Sequence, residues 1–234
     1  VISTGRASNT FVDSSGTETV SGGSATGTVI VDGGLQFVSS GGIASSAFIA
    51  EGGEQLVLSG GAAFATTVDT DGIMTVSSGG IANGTVVSVF ASITVQDGGS
   101  AVGTLLQDGA AVEVLSGARW IDTELGENNG VTIDSGGATT GTTMVGIAFE
   151  TVSAGGVASN TQVGSDSTQN VLGSAFGTIV SGSARLPARR CSPAARLWCP
   201  LAAWPTRPSC RAMPPSSSRA AGPRPTPSSA RAAR

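Results

Sequence analysis

The chain has no histidine, no lysine and no tyrosine, and its three cysteines and ten prolines all lie beyond residue 186. Without histidine or lysine, a Ser-His-Asp triad, a Schiff-base lysine and imidazole metal ligands are excluded. Without cysteine, residues 1–183 can form neither a thiolate nucleophile nor a zinc-thiolate site. A cysteine-free segment also suits export in an unfolded state, since a disulfide formed on the way could obstruct passage. No glycine-rich phosphate loop leads into a helical pattern, and the calcium nonapeptide Gly-Gly-x-Gly-x-Asp is missing. No 3.6-residue apolar periodicity runs long enough for a helix, because glycine interrupts every eight to eleven residues.

What the sequence has is glycine at a fixed interval. Gly22, Gly41, Gly60, Gly79, Gly98, Gly117, Gly136 and Gly155 are nineteen residues apart, and all but Gly117 are followed by a second glycine. A constant period near twenty signals one structural unit stacked on copies of itself. Six residues after each of these glycines stands threonine (Thr28, Thr66, Thr85, Thr104, Thr123, Thr142, Thr161), with Ala47 the exception. Eight after comes an apolar residue without fail: Ile30, Ile49, Val68, Val87, Leu106, Leu125, Met144, Val163. Sixteen after comes Val38, Val57, Val76, Val95, Val114, Ile133, Val152, Val171. A second glycine pair, Gly33-Gly34 and Gly52-Gly53, decays along the chain to Asp71-Gly72, Gly109-Ala110 and Asn128-Asn129, all turn-compatible. The residues before Gly22 are a copy one residue short, with Thr10 and Val12 in the matching places.

Thr28 and Ile30 are two apart, as are Gln36 and Val38, so each pair shares one face of an extended chain. Residues between them vary freely (Val29, Phe48, Thr67, Glu124; Phe37, Thr75, Glu113), which is the half-buried strand pattern. Ala25, Ala44, Ala63, Ala82 and Ala101 repeat three after the first glycine, where a small inward residue suits a further corner. The expected fold is therefore all-β: a parallel β-solenoid of about nine 19-residue turns, roughly 45 Å long at ~4.8 Å per turn. Right-handed crossovers are the strong default, so a right-handed coil is expected. Val38 to Val171 then form one buried ladder, and the threonine column, sharing the parity of the apolar Ile30 column, points inward or into a corner as a structural hydroxyl ladder.

At residue 184 the composition changes. Residues 1–183 hold two arginines and all sixteen acids, a formal charge of −14; residues 184–234 hold ten arginines and no acid, +10. Three readings compete for the tail: a basic disordered segment able to bind nucleic acid or anionic surfaces, a small cysteine-held domain left with one unpaired thiol, and a frameshifted translation of further repeats. The third can be tested on codons. Leu197–Pro205 can be encoded so that skipping two bases yields Val-Val-Ser-Ala-Gly-Gly-Val-Ala, and the intact chain has Thr-Val-Ser-Ala-Gly-Gly-Val-Ala at 151–158. Ala194-Ala195 and Ala202-Ala203, which would become glycine pairs, are eight apart, as are Gly33 and Gly41. We read 1–183 as the solenoid and 184–234 as a non-native, disordered tail, and expect no nucleic-acid partner and no cofactor.

The combined spacing Gly-Gly-x-Ala-x-x-Thr-x-Val and Gly-Gly-x-Gln-x-Val-x-Ser-Gly-Gly is carried by Gly41-Gly42-Ile43-Ala44, Thr66-Thr67-Val68 and Gly52–Gly61. It resembles the passenger repeats of AIDA-type autotransporter adhesins. The resemblance implies a non-enzymatic solenoid at the surface of a Gram-negative cell, exported by a translocator barrel on a C-terminal part of the parent protein that this chain lacks. It also implies adhesion to host or neighbouring cells, or self-association, and glycan attachment to serines near the turns such as Ser39, Ser40, Ser77 and Ser78. The other reading is a polysaccharide-binding or polysaccharide-cleaving solenoid using paired acids, with Asp32 and Glu51 one turn apart and Asp69 and Asp71 nearby. Acids beside glycine turns also serve solubility alone, and seven intervals of nineteen leave almost no insertions that could wall a cleft.

Overall fold

A computed structural model describes residues 4–182; the tail, with its cysteines and the frameshift reading, lies outside the described residues. Each turn contributes three short strands to three parallel sheets of ten, ten and nine strands. The first sheet is built from three-residue strands such as Ser24–Thr26 and Ile43–Ser45. The second takes two-residue strands such as Val29–Ile30 and Phe48–Ile49, and the third longer ones such as Glu54–Val57 and Ile73–Val76. The chain visits them in that order on every turn, so the cross-section is a triangle and each sheet runs the length of the rod. The fold is a parallel β-solenoid, and no helix is present among the described residues.

The register is the sequence period made physical. Ala44 lies beside Ala63, Val68 beside Val87, and Val76 beside Val95, each nineteen residues on. At the start the step is eighteen, Val12 beside Ile30, matching the short first copy. At the end it is seventeen, with Val157 beside Ser174 and Gln162 beside Ile179. Val38, Val57, Val76, Val95, Val114, Ile133 and Val152 are fully buried. Val171 is only partly buried. It stands in the last strand of the third sheet, Thr168–Val171, which has a neighbour on one side only.

The two glycines of a pair do different work. The first takes positive φ, as at Gly41 (80°), directly after Ser40, itself at 50°. The second keeps ordinary φ but sits against the turn below, where a Cβ on Gly42 would strike the Val20 carbonyl. Left-handed backbone therefore explains one glycine and close stacking the other.

Five inward columns, together with small residues buried at the corners such as Ala91, Ala118 and Ala148, fill the triangle. The alanine column admits two larger residues, Trp120 beside Ala101 and Thr139 beside Trp120. Trp120 is fully buried and its Nε1 donates to Thr104 Oγ1 at 2.9 Å. A further column, fourteen after each first glycine, reads Glu18, Gln36, Gln55, Met74, Ile93, Val112, Val131, Glu150, Gln169, and every member is buried. Thr139 reaches Glu150 in the next long strand, so Trp120 is level with Val131.

Polar members of the fourteenth-position column are linked in order. Gln36 Nε2 donates to Glu18 at 2.6 Å and Gln55 Nε2 to Gln36 Oε1 at 2.5 Å. Gln169 Nε2 donates to Glu150 at 2.6 Å. Each amide donates toward the preceding turn, and the head of each series is a carboxylate, which accepts without needing an acceptor of its own. The expected threonine ladder is corrected here. Thr28, Thr66, Thr161 and Thr178 are buried, but their hydroxyls donate across the core to Glu18, Gln55, Glu150 and Gln169, not to one another. Thr123, whose counterpart across the core is Val112, is left with a buried hydroxyl and no partner.

Candidate interaction surface

A solenoid of uniform turns offers faces and corners. The corner between the second and third sheets gathers acids: Asp13, Asp32, Glu51, Asp69, Asp71, Asp108, Glu127 and Asp166 stand there, half of the sixteen, while the turns at 88–91 and 145–148 expose Val89, Phe90, Val145 and Ile147 instead. Tight turns select them, since Asp32 (φ 50°), Glu51 (φ 51°), Asp71 (φ 60°) and Asp166 (φ 62°) hold left-handed backbone that short polar side chains tolerate best. Asp32 and Glu51 are exposed on adjacent turns, the Asp32 N–H donating to the Glu51 carbonyl at 3.0 Å. A shallow depression further along is lined by Asp69, Ser88, Gln107, Asp108 and Glu127. Asp32 and Glu51 are not part of it. Among the described residues no three acidic side chains converge as a metal site.

Across the triangle from that corner lies the first sheet. Its ten strands contain no aspartate or glutamate, and both arginines of the described residues, Arg6 and Arg119, belong to it. The alternation of buried alanine with outward neighbours leaves Ile43, Phe64, Ile81 and Phe176 40–46% exposed on this face. The third sheet carries Glu54 and Glu113 outward and the second Glu124.

The serines singled out in the sequence stand at the corner joining the third sheet to the first. Ser40 and Ser78 are exposed, and Ser39 and Ser77 half-buried, with the Ser77 hydroxyl donating to Gln96 Oε1 at 2.8 Å. Ser78 and the equivalent Ser59, Ser116 and Ser135 project over the first glycine of the next turn. A Cβ on Gly98 would lie 2.6 Å from Ser78 Oγ, and one on Gly79 or Gly136 2.9 Å from Ser59 or Ser116 Oγ. Glycine therefore leaves room for a row of exposed hydroxyls one turn apart.

Sequence reasoning missed the two carboxylates that are not on the surface. Glu18 and Glu150 are buried. Burial pushes the Glu150 carboxyl above the ordinary carboxylate range, opposed by hydrogen bonds from Gln169, Thr161, Thr139 and Thr142. The available signal was parity: both stand two residues before a ladder valine, Val20 and Val152, and so share its face.

Residues 32–89 match the family model described as "Adhesin of bacterial autotransporter system, probable stalk". A solved fragment of TibA (residues 55–350), hyper-glycosylated by TibC, is 30% identical over 76% of this chain and 88% of its own length, with a TM-score of 0.46. This chain belongs to the AIDA-type autotransporter adhesins. It is a cell-surface adhesin passenger module, and the family match and the TibA identity agree on that. QnrB1, a plasmid-mediated fluoroquinolone resistance protein, is 12% identical over 76% of the chain with a TM-score of 0.25, too low to bear on the adhesin. No curated protein matches the chain.

Proposed function

We propose that this adhesin segment is a non-enzymatic rod, displayed outside a Gram-negative cell by a translocator barrel elsewhere in the parent protein. On this reading its outward columns contact host cells, neighbouring cells or further copies. The observation that carries the reading is the unbroken register: every strand pairing from Ser24–Ile43 to Ala138–Val157 keeps the nineteen-residue step. No insertion interrupts it to wall a cleft, and a surface of this kind gains affinity by repetition. Asp32 and Glu51 stand exposed on a convex corner, where a sugar would gain neither desolvation nor a fixed orientation for acid–base work.

Ser39, Ser40, Ser77 and Ser78 are the proposed glycan acceptors. The TibA fragment is hyper-glycosylated, and exposed hydroxyls such as Ser78 project over glycine without a side chain above them. Purified chain, fluorescently labelled, is incubated with epithelial and bacterial cells and, separately, with a panel of soluble polysaccharides. Saturable cell binding without release of reducing ends is the expected outcome. Sugar cleavage that disappears in Asp32→Asn or Glu51→Gln would instead establish an enzyme.

A further inference from the structure

The corner between the second and third sheets is not convex along its whole length. Between residues 69 and 127 it carries a depression of about 750 Å³, lined by residues of four successive turns. That volume lies within the roughly 300–1,000 Å³ of small-molecule sites. Asp69, Ser88, Gln107 and Gly126 follow one another along it at nineteen-residue intervals, one to a turn. The depression therefore runs with the rod axis, about 14 Å from the first of these residues to the fourth. Gly126 leaves the fourth place open, and a Cβ there would lie 2.7 Å from the Leu106 carbonyl oxygen. Val89 and the half-buried Leu105 supply apolar surface, and Phe90, next to Val89 in the chain, is 72% exposed at the same corner.

The polar groups of the depression are set in advance. The Ser88 hydroxyl donates to Gln107 Oε1 at 3.2 Å, which leaves the Gln107 Nε2 to donate outward. The Thr70 N–H donates to Asp69 Oδ1 at 2.8 Å, which leaves Oδ2 to accept. Asp108 and Glu127 add acceptors one turn apart on the flank. A ligand lying here meets donors and acceptors in rows with a rise of ~4.8 Å, beside an apolar strip.

We infer that this depression binds an extended, uncharged, β-linked glycan laid along the rod, one sugar unit to a turn. The inference rests on the adhesive reading above and names a ligand class for it. A pyranose in an extended chain advances by close to the rise of one turn. It presents hydroxyls to polar groups at its edge and a C–H face to apolar surface. An extended peptide advances ~3.3 Å per residue and falls out of step with the rows. Three carboxylates and no arginine in the lining oppose sulfated or uronic-acid chains. The site is open along one side, so a single contact is weak, and binding becomes effective where many rods are displayed together.

The test is a saturation-transfer NMR titration of the full chain with β-1,4-linked oligomers of glucose and of N-acetylglucosamine, two to six units long. Neutral probes are needed because the ten arginines of residues 184–234 would attract anionic sugars by charge alone. Binding of at least one series is expected, tightening from the dimer to the tetramer and levelling beyond it, since four turns line the site. Gln107→Ala and Asp108→Asn should each weaken it about fivefold or more. Gln96→Ala is the matched control. Gln96 accepts from Ser77 as Gln107 does from Ser88, but it lies outside the depression, and its loss should leave affinity unchanged. All three positions are exposed, and far-UV circular dichroism checks each variant. No binding of either series, equal weakening by Gln96→Ala, or affinity independent of length would overturn the inference. So would a tetra-arginine peptide that binds more tightly than any oligomer and is lost in Asp108→Asn, which would make this a site for cations. A chain that binds no oligomer yet still binds cells keeps the adhesive reading and loses only this site.

Discussion

Glu150 shows what a single residue does in a stacked core. Its carboxylate heads an amide series, accepting from Gln169 at 2.6 Å and from Thr139 and Thr161 at 3.2 Å each. Thr139 stands where most turns have alanine, so the local sequence supplies an extra donor beside the buried acid. Burial nevertheless raises the carboxyl above its ordinary range. A carboxyl whose folded pKa exceeds its unfolded value contributes stability that is full below the unfolded pKa, near ~4.3, and lost as pH rises through the folded value. Glu150→Gln keeps the shape, and the threonine hydroxyls can turn to accept from the new amide. The variant should melt ~3–6 °C higher than the parent at pH 7, with the gain vanishing at pH 4. Thermal melts at the two pH values check this; an equal difference at both would show that Glu150 is not the titrating group.

Individual residues were also where the sequence was hardest to read. The valine column from Val38 to Val152 was legible because apolar type and inward parity agree. At Glu18, Glu150 and Gln36 they conflict: position two before a valine points inward while residue type points to solvent. Hydrogen bonding across the core resolves the conflict, and such partners ten or eleven residues apart are invisible to a nineteen-residue period. Trp120 was equally hidden, because the alanine column gave no warning that one turn would bury an indole there and bond it to Thr104.

At the level of the strand, stability comes from columns shared between neighbouring turns, since no turn can bury its own face. Val95 is fully buried and pairs with Val76 on one side and Val114 on the other. Val95→Asp puts an unpaired charge between two apolar neighbours and should cost several kcal/mol, roughly 3–5. Thr94→Asp, one residue away but facing out, should stay within about 1 kcal/mol of the parent. Urea unfolding of both variants makes the comparison; equal loss would mean the inward assignment of the column is wrong. The glycine pairs belong to the same scale. Their repetition was plain in the sequence, but the division of labour between Gly41 at positive φ and Gly42 against the Val20 carbonyl needed the neighbouring turn to be seen.

For the whole molecule, period and register are one fact. The eighteen-residue first step was legible from Thr10 and Val12, and it reappears as Val12 beside Ile30. The seventeen-residue last step at Ser174 was not, because no first glycine marks the turn after Gly155. Charge partition was likewise unreadable by composition: only when the chain is folded into a triangle do eight acids gather on one corner and both arginines on the opposite face. These properties all depend on the turn being the interchangeable unit. Deleting residues 79–97, one full turn, should join Ser78 to Gly98 with every column intact. Deleting residues 79–88 should instead move the downstream columns out of register. Circular dichroism with small-angle X-ray scattering decides the matter. The account predicts that the nineteen-residue deletion keeps a cooperative β-fold with a rod shorter by roughly 4.8 Å, while the ten-residue deletion loses it. Two deletions that unfold alike would contradict the account.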